Sequence, residues 1–143
     1  MPISFNTLLT QSGFALRDVR LLRHQDNRAD KGKTPYELWR DDPKQFDQYQ
    51  SIQKPDRREQ LNAKYWASFV GLPDSQTLFV GLFRVKYAGL SKYEMPKVYT
   101  SGIHLAGTHD TYELILDTSL REFVGKLLIK WGTGTRFLGS TCG

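Results

Sequence analysis

The apolar positions recur with a period of two in the middle of the chain, where two such segments flank a short Pro-Asp turn. Residues 64–87 have the sequence KYWASFVGLPDSQTLFVGLFRVKY, which is dense in β-branched and aromatic residues. Such residues at alternate positions are typical of strands, so the segment predicts a β-hairpin. Gly81 falls inside the second predicted strand, residues 77–87, and indicates a bulge or a close approach by another backbone.

Signals for helices precede this hairpin. Ser4 is the predicted N-cap of a short helix that Gly13 ends. The motif Thr34-Pro35-Tyr36-Glu37 combines a capping threonine, a proline at the first helical position and a glutamate that can bond back to the cap. Asp42-Pro43 then ends this second helix and begins a third, and a further short helix is predicted over residues 55–63.

The remaining segments complete a mixed architecture. Residues 18–24 predict a strand, 25–33 a solvated loop, 89–107 irregular structure, and 111–116 and 126–131 two further strands around a short helix capped by Asp117. Helices first and strands later, with the strands close in sequence, indicate one α+β domain spanning residues 1–143. We expect N-terminal helices beside a curved antiparallel sheet or a small, partly closed barrel.

The composition is that of a globular protein of 143 residues with 39% hydrophobic residues. Cys142 is the single cysteine, so an intrachain disulfide or a thiolate zinc site cannot form. No apolar run approaches the roughly 20 residues of a membrane span, and the N-terminus lacks the features of a signal peptide. We therefore expect a soluble, cytoplasmic protein with no membrane partner.

The charge is moderately basic and favours acidic partners such as DNA. The net charge is +5, and the lysine and arginine excess is divided between the two halves of the chain. Folding must therefore assemble any basic surface from separated residues. The densest cluster consists of Arg17, Arg20, Arg23, Arg28, Lys31 and Lys33.

Candidate DNA contacts lie where the first predicted strand meets the polar loop, a common position for recognition residues. We expect Arg20 and Arg23 on the same side of the strand, with His24 able to donate to a phosphate or a base edge and Arg28 able to contact phosphate. The alternative is that the arginines are ordinary surface residues and that His24 bonds to a nearby carbonyl.

Aromatic residues supply the other half of the predicted DNA interface. Tyr65 and Trp66 point to opposite faces of their strand, so one can lie in the core while the other stacks on a base. The alternative is that both are core residues.

A glycine-rich segment follows the last predicted strand. Trp131, Thr133, Thr135 and Arg136 belong to the sequence WGTGTR, which can bring backbone amides, hydroxyls and an arginine against a phosphate. The alternative is a turn in which Trp131 closes one end of the barrel. The segment is not a P-loop, because the Gly-Lys-Ser/Thr ending is missing.

Catalytic and cofactor motifs do not emerge from the spacing of reactive residues. His24, His104 and His109 are far apart in sequence and have no thiolate companions, so we expect no metal site. No serine elbow, carboxylate pair or dinucleotide fingerprint is present, so we expect no cofactor and no catalytic residue.

An ordered series of motifs resembles the N-terminal, non-catalytic region of bacterial GIY-YIG nuclease family proteins. These are VRLLRHQD (19–26), TPYELWRDD (34–42), YWASFV (65–70), LFVGL (78–82) and LLIKWG (127–132). The resemblance implies a DNA-binding specificity module of a restriction-type endonuclease. The Gly-Ile-Tyr and Tyr-Ile-Gly signatures are not in this sequence, so we expect no DNA cleavage unless a nuclease domain follows in the natural protein. The alternative is an interaction or scaffold domain that docks a nuclease subunit and has little DNA affinity.

The order of a Tyr-Trp strand, a Leu-Phe-Val-Gly segment and a valine-containing strand also resembles PUA-like barrels of the EVE and SRA groups. This second resemblance implies that a modified base, such as a methylated one, is flipped into an aromatic pocket. Stacking and hydrogen bonds to the base edge would then offset the cost of unstacking.

Overall fold

A computed structural model describes residues 4–24, 33–72, 76–92, 108–130 and 140–142 as a set of short helices around one sheet. The α-helices are α1 (Phe5–Gln11), α2 (Pro35–Asp41), α3 (Pro43–Ser51) and α4 (Arg58–Leu61). The strands are β1 (Val19–His24), β2 (Ile52–Gln53), β3 (Tyr65–Gly71), β4 (Gln76–Lys92), β5 (Thr108–Asp117), β6 (Leu127–Lys130) and β7 (Ser140–Cys142). Short 3₁₀ helices occupy Leu16–Asp18, Pro55–Arg57 and Thr118–Phe123.

Side-chain caps begin the first three α-helices at the predicted residues. Ser4 Oγ accepts a backbone N–H of the first turn of α1 at 3.1 Å. Thr34 and Glu37 form a reciprocal capping box, with bonds of 3.1 and 3.0 Å, and Pro35 is the first residue of α2. Asp42 Oδ1 accepts the Gln45 N–H at 3.3 Å and so caps α3. These local bonds satisfy amides that the helix itself cannot, which is why the starts were predictable from sequence.

The strands form an open and mostly antiparallel sheet in the order β1-β3-β4-β5-β2, to which β6 is added beside β4 and β7 beside β6. This confirms the α+β class, but the described strands do not close into a barrel. One pairing differs from the expected antiparallel arrangement, since β1 runs parallel to β3. Residues 25–64 separate the two strands and contain α2, α3 and α4, and a parallel pair requires a long crossover of this kind.

The central strand β4 is longer than predicted because bulges let it bend and continue. Ser68 pairs with Gly81 but Phe69 pairs with Phe79, so Val80 is the extra residue of a bulge beside Gly81, and of the two expectations for this glycine the bulge is confirmed. A second register shift follows Tyr87, and Gly89 has a φ of +102°. This left-handed conformation favours glycine. Residues 89–92, predicted to be irregular, therefore belong to the strand.

Helices cover both faces of the sheet. On one face, α1 and the 3₁₀ helix Thr118–Phe123 pack against the inner strands in an apolar cluster that includes Phe5, Leu9, Phe69 and Phe79. On the other face, Leu38 of α2 and Phe46 of α3 pack against a second cluster, and Leu61 of α4 packs against a third that contains Trp66. The strand β3 is consequently buried on both faces from Trp66 to Gly71.

Candidate nucleic-acid interface

The two arginines of β1 are on opposite faces of the sheet, and the expectation that they share a side is wrong. Arg20 is opposite Trp66 of β3, whereas Arg23 is opposite Phe69. They are three positions apart, and side chains alternate along a strand, so an odd separation places them on different faces. The structure therefore does not bring Arg20 and Arg23 together into one phosphate site.

His24 is enclosed between the sheet and α3. Its ring lies edge-on to Phe46 at 5.2 Å and tilted against Tyr49 at 5.5 Å. Its Nε2 lies 3.2 Å from the Oε1 of Gln50, an oxygen that also accepts a 2.7 Å bond from Ser68 Oγ. Burial lowers the pKa of His24 from 6.5 to about 4, so the ring is neutral at pH 7. The alternative of a structural histidine therefore fits better than a phosphate donor, although its partner is a side-chain amide and not a backbone carbonyl.

Of the two predicted stacking residues of β3, Trp66 lies in the core and Tyr65 is partly buried. Trp66 has 0% of its surface exposed, and its indole N–H donates to the Leu61 carbonyl at 3.1 Å. No base can stack on this ring in the observed arrangement, which corrects the proposed role of Trp66. Tyr65 is half-buried on the other face and meets Phe14 edge-on at 5.1 Å. The packing of Leu61 of α4 over Trp66 removes the solvent side that stacking on this ring required.

Arg28 and the segment containing Trp131, Thr133, Thr135 and Arg136 lie outside the described residues.

The described residues do bring an accessible ring beside a guanidinium, at a place that the sequence did not indicate. Tyr87 of β4 is 43% exposed, and the Arg58 side chain at the start of α4 is 48% exposed. The Arg58 Cζ lies 5.2 Å from the centre of the Tyr87 ring, within range of a cation–π contact. We call Arg58, Tyr87 and the carboxylate that joins them, Asp110, the Arg58–Tyr87 site.

Asp110 joins the two residues through three hydrogen bonds. Arg58 donates from Nε to Oδ2 at 2.9 Å and from Nη2 to Oδ1 at 2.7 Å, and the Tyr87 hydroxyl donates to Oδ1 at 2.9 Å. Asp110 itself is fully buried on β5. A two-point bond to a buried carboxylate fixes the plane of the guanidinium and directs its Nη1 group away from Asp110.

Electrostatics keep this arrangement charged at neutral pH. The hydrogen bonds from Arg58 hold the pKa of Asp110 below its usual value, and the same bonds raise the pKa of Arg58. Burial, followed by the hydrogen bond to Asp110, raises the pKa of Tyr87. The site therefore presents a neutral phenol and a fixed cation on its accessible side.

A row of aromatic rings connects the site to the core. The ring centres of Tyr87 and Tyr112 are 5.4 Å apart, and those of Tyr112 and Trp66 are 4.8 Å apart. The Tyr112 hydroxyl is buried and has no hydrogen-bond partner among the described residues.

Exposed cations also occur just before α4, at Lys54 and Arg57, together with the exposed Asp56.

The members of this site are distant in the chain, so no local sequence pattern indicated them. Arg58 and Asp110 are 52 positions apart, and Tyr87 and Asp110 are 23 apart. Asp110 also lies just before the predicted strand 111–116, in a polar stretch, so its burial was not indicated.

Comparisons with protein-family models, with curated proteins and with solved structures give no match for this chain. Within the described ranges, no helix is long and apolar enough to cross a membrane, and no three His, Cys, Asp or Glu side chains group as a metal site.

Proposed function

We propose that the protein binds duplex DNA through the Arg58–Tyr87 site. The observation that carries this proposal is the pairing of an exposed tyrosine ring with a guanidinium held in place by a buried carboxylate. Rings of this kind stack on bases, and fixed guanidinium groups bind phosphate oxygens. The net charge of +5 and the exposed Lys54 and Arg57 support attraction to a polyanion.

The buried carboxylate makes the arginine more effective as a phosphate ligand. A free arginine loses side-chain entropy when it binds a phosphate, whereas Arg58 is already oriented by Asp110. Asp110 uses the Nε and Nη2 groups, so a phosphate would bind through Nη1. The cation–π contact holds the same guanidinium over Tyr87, which places a phosphate ligand and a stacking surface side by side.

We extend the proposal to the biological role that the motif series implies. The chain would act as a DNA-binding specificity module of a restriction-type system of the GIY-YIG nuclease family. In a PUA-like mode of binding, a modified base would stack on Tyr87, because Trp66 is enclosed in the core. A nuclease domain or subunit would supply the cleavage chemistry.

Fluorescence anisotropy with labelled duplexes tests DNA binding directly, using one plain duplex and one that carries methylated cytosine. We expect affinity that falls with salt, and a tighter complex with the methylated duplex if a modified base is recognised. Tyr87→Ala should weaken binding about tenfold or more through loss of stacking. Tyr87→Phe keeps the ring and loses only the bond to Asp110, so it should bind nearly as well as the wild type.

A charge-matched comparison separates a phosphate contact from general attraction. Arg57→Ala and Arg121→Ala remove one exposed charge each, the first beside the site and the second on the 3₁₀ helix Thr118–Phe123. The proposal places a second DNA phosphate at Arg57, next to Arg58 in the chain, so only Arg57→Ala should lower the slope of log affinity against log salt, by about 0.9 for one phosphate contact. Absence of binding to both duplexes at low salt, or equal affinities for Tyr87→Ala and wild type, would refute the proposal.

A further inference from the structure

The outer edge of β5 offers main-chain groups that are not used by the sheet. β5 pairs with β4 from Thr108 to Asp117, but β2 covers its outer edge only at Asp110 and Thr111. Across the part of the chain that the structure describes, no strand pairs with this edge from Tyr112 onward. We call residues 113–117 the β5 edge.

The direction of the main-chain groups follows from one hydrogen bond on the neighbouring strand. The Val85 N–H donates to the Lys64 carbonyl at 2.9 Å, so Val85 of β4 points its main-chain groups toward β3. Val85 is opposite Leu114, which is therefore not hydrogen-bonded to it across the β4–β5 pair. Leu114 must point its N–H and C=O outward, and the alternation along the strand gives Leu116 the same direction.

The side chains of the β5 edge lack the protection that edge strands usually have. Ile115 is 59% exposed and Leu116 is 55% exposed, on opposite faces of the strand. The charged residues of the β5 edge itself are the acidic Glu113 and Asp117, and on the inner side of the edge β4 places Lys86 opposite Glu113 and Arg84 opposite Ile115. Edges that avoid pairing commonly carry lysine, proline or a covering loop, whereas this one combines apolar side chains with outward main-chain groups.

We propose that the β5 edge binds an extended peptide segment in which basic and apolar residues alternate. The segment adds a strand to the sheet through Leu114 and Leu116, and its basic residues lie beside Glu113 and Asp117. The edge spans about 17 Å, enough for roughly five residues of partner strand. The partner is therefore a protein, and this surface is distinct from the proposed DNA contact at Tyr87.

Charge argues against a second copy of this chain as the occupant. Pairing two β5 edges would bring Glu113 and Asp117 of both copies into one interface, and an antiparallel pair centred on Ile115 would place Glu113 directly opposite Asp117 of the other copy. Like charges opposite one another destabilise strand pairing. A basic segment instead complements the same carboxylates.

The experiment measures anisotropy of two fluorescein-labelled heptapeptides, one of alternating lysine and valine and one of alternating glutamate and valine. The lysine peptide should bind and the glutamate peptide should not. Leu116→Pro removes one outward N–H but no bond to β4, and should weaken binding about fivefold. Leu116→Lys should also weaken it, because a charged side chain replaces the apolar contact with the valine face of the peptide. Leu16→Lys, at an exposed apolar residue elsewhere, is the matched control and should have no effect.

Circular dichroism first establishes that each variant is folded, and Leu116→Lys serves as the test if the proline variant is not. The proposal is overturned if both peptides bind equally, or if folded Leu116 variants bind the lysine peptide as the wild type does. A wild-type dimer that Leu116→Lys separates in sedimentation would also overturn it, since the occupant is then a second copy. Tyr87→Ala should leave peptide binding unchanged, so the DNA and peptide proposals fail independently.

Discussion

Acidification should destabilise this protein through His24 over a defined pH range. The ring is surrounded by Phe46, Tyr49 and Gln50, and burial is the main reason that its pKa falls from 6.5 to about 4. The bond to Gln50 opposes this shift and the charge of Arg57 adds to it. In the unfolded chain the pKa returns to about 6.5, so the unfolded state binds a proton first.

The sign and size of the effect follow from proton linkage. Above pH 6.5 the ring is neutral in both states and the folded protein has its full stability. As the pH falls from about 6.5 to about 4, only the unfolded state gains the proton, and the free energy of unfolding decreases. At about 1.4 kcal/mol for each pH unit, the full difference corresponds to about 3 kcal/mol. Because the side chain keeps some accessible surface, we expect a loss of about 2–3 kcal/mol.

Urea unfolding followed by tryptophan fluorescence measures this loss, with wild type and His24→Asn compared between about pH 7.5 and about pH 4.5. Carboxylates titrate in both proteins, so the difference between them isolates the imidazole. The wild type should lose stability more steeply than the variant as the pH falls. Parallel pH profiles for the two proteins would refute the assignment of a buried, neutral His24.

Three further substitutions test the contacts of Gln50, Gly81 and Arg58. Gln50→Leu removes the acceptor of both Ser68 and His24 and should lower the free energy of unfolding by about 2 kcal/mol in urea titrations; a change within error would mean that these groups find other partners. Gly81→Ala places a Cβ 2.8 Å from the Phe83 ring and should cost about 1–3 kcal/mol in the same assay, unless the ring moves aside freely. Arg58→Met should lower the urea midpoint at pH 7 relative to the exposed-site control Arg121→Met, because Asp110 loses its charged partner. The pKa of Asp110 is lowered in the folded state, so the difference between the two urea midpoints should shrink as the pH falls through this lowered pKa. A difference between the midpoints that persists in acid would contradict the role of the ion pair.

The consequences of the His24 assignment reach beyond stability. A histidine that stays neutral and bonded to Gln50 cannot supply charge to a phosphate at pH 7, so one of the predicted recognition residues instead supports the position of α3. The proposed DNA contacts lie instead where Arg58 of α4 meets Tyr87 of β4 and Asp110 of β5.

The elements of the fold were largely predictable because their signals are local. The caps at Ser4, Thr34 and Asp42 act within one helical turn, and the alternation in β3 and β4 requires only neighbouring residues. These local signals were enough to predict the helix starts, the strands of the β3–β4 hairpin and the bulge beside Gly81. The extension of β4 past Tyr87 did not, since it depends on a second bulge that only the pairing with β5 reveals.

The sequence by itself determined the helices, most strands, the α+β class and the basic charge, because caps, periodicity and composition are properties of short segments. Tertiary structure alone decided which aromatic rings remain accessible and which cation lies beside them. Trp66 is enclosed because helices cover both faces of its sheet, and Tyr87 is exposed where that cover ends. The bond between Arg58 and Asp110 joins residues 52 positions apart, a contact that depends on the path of the whole chain and that no local pattern encodes.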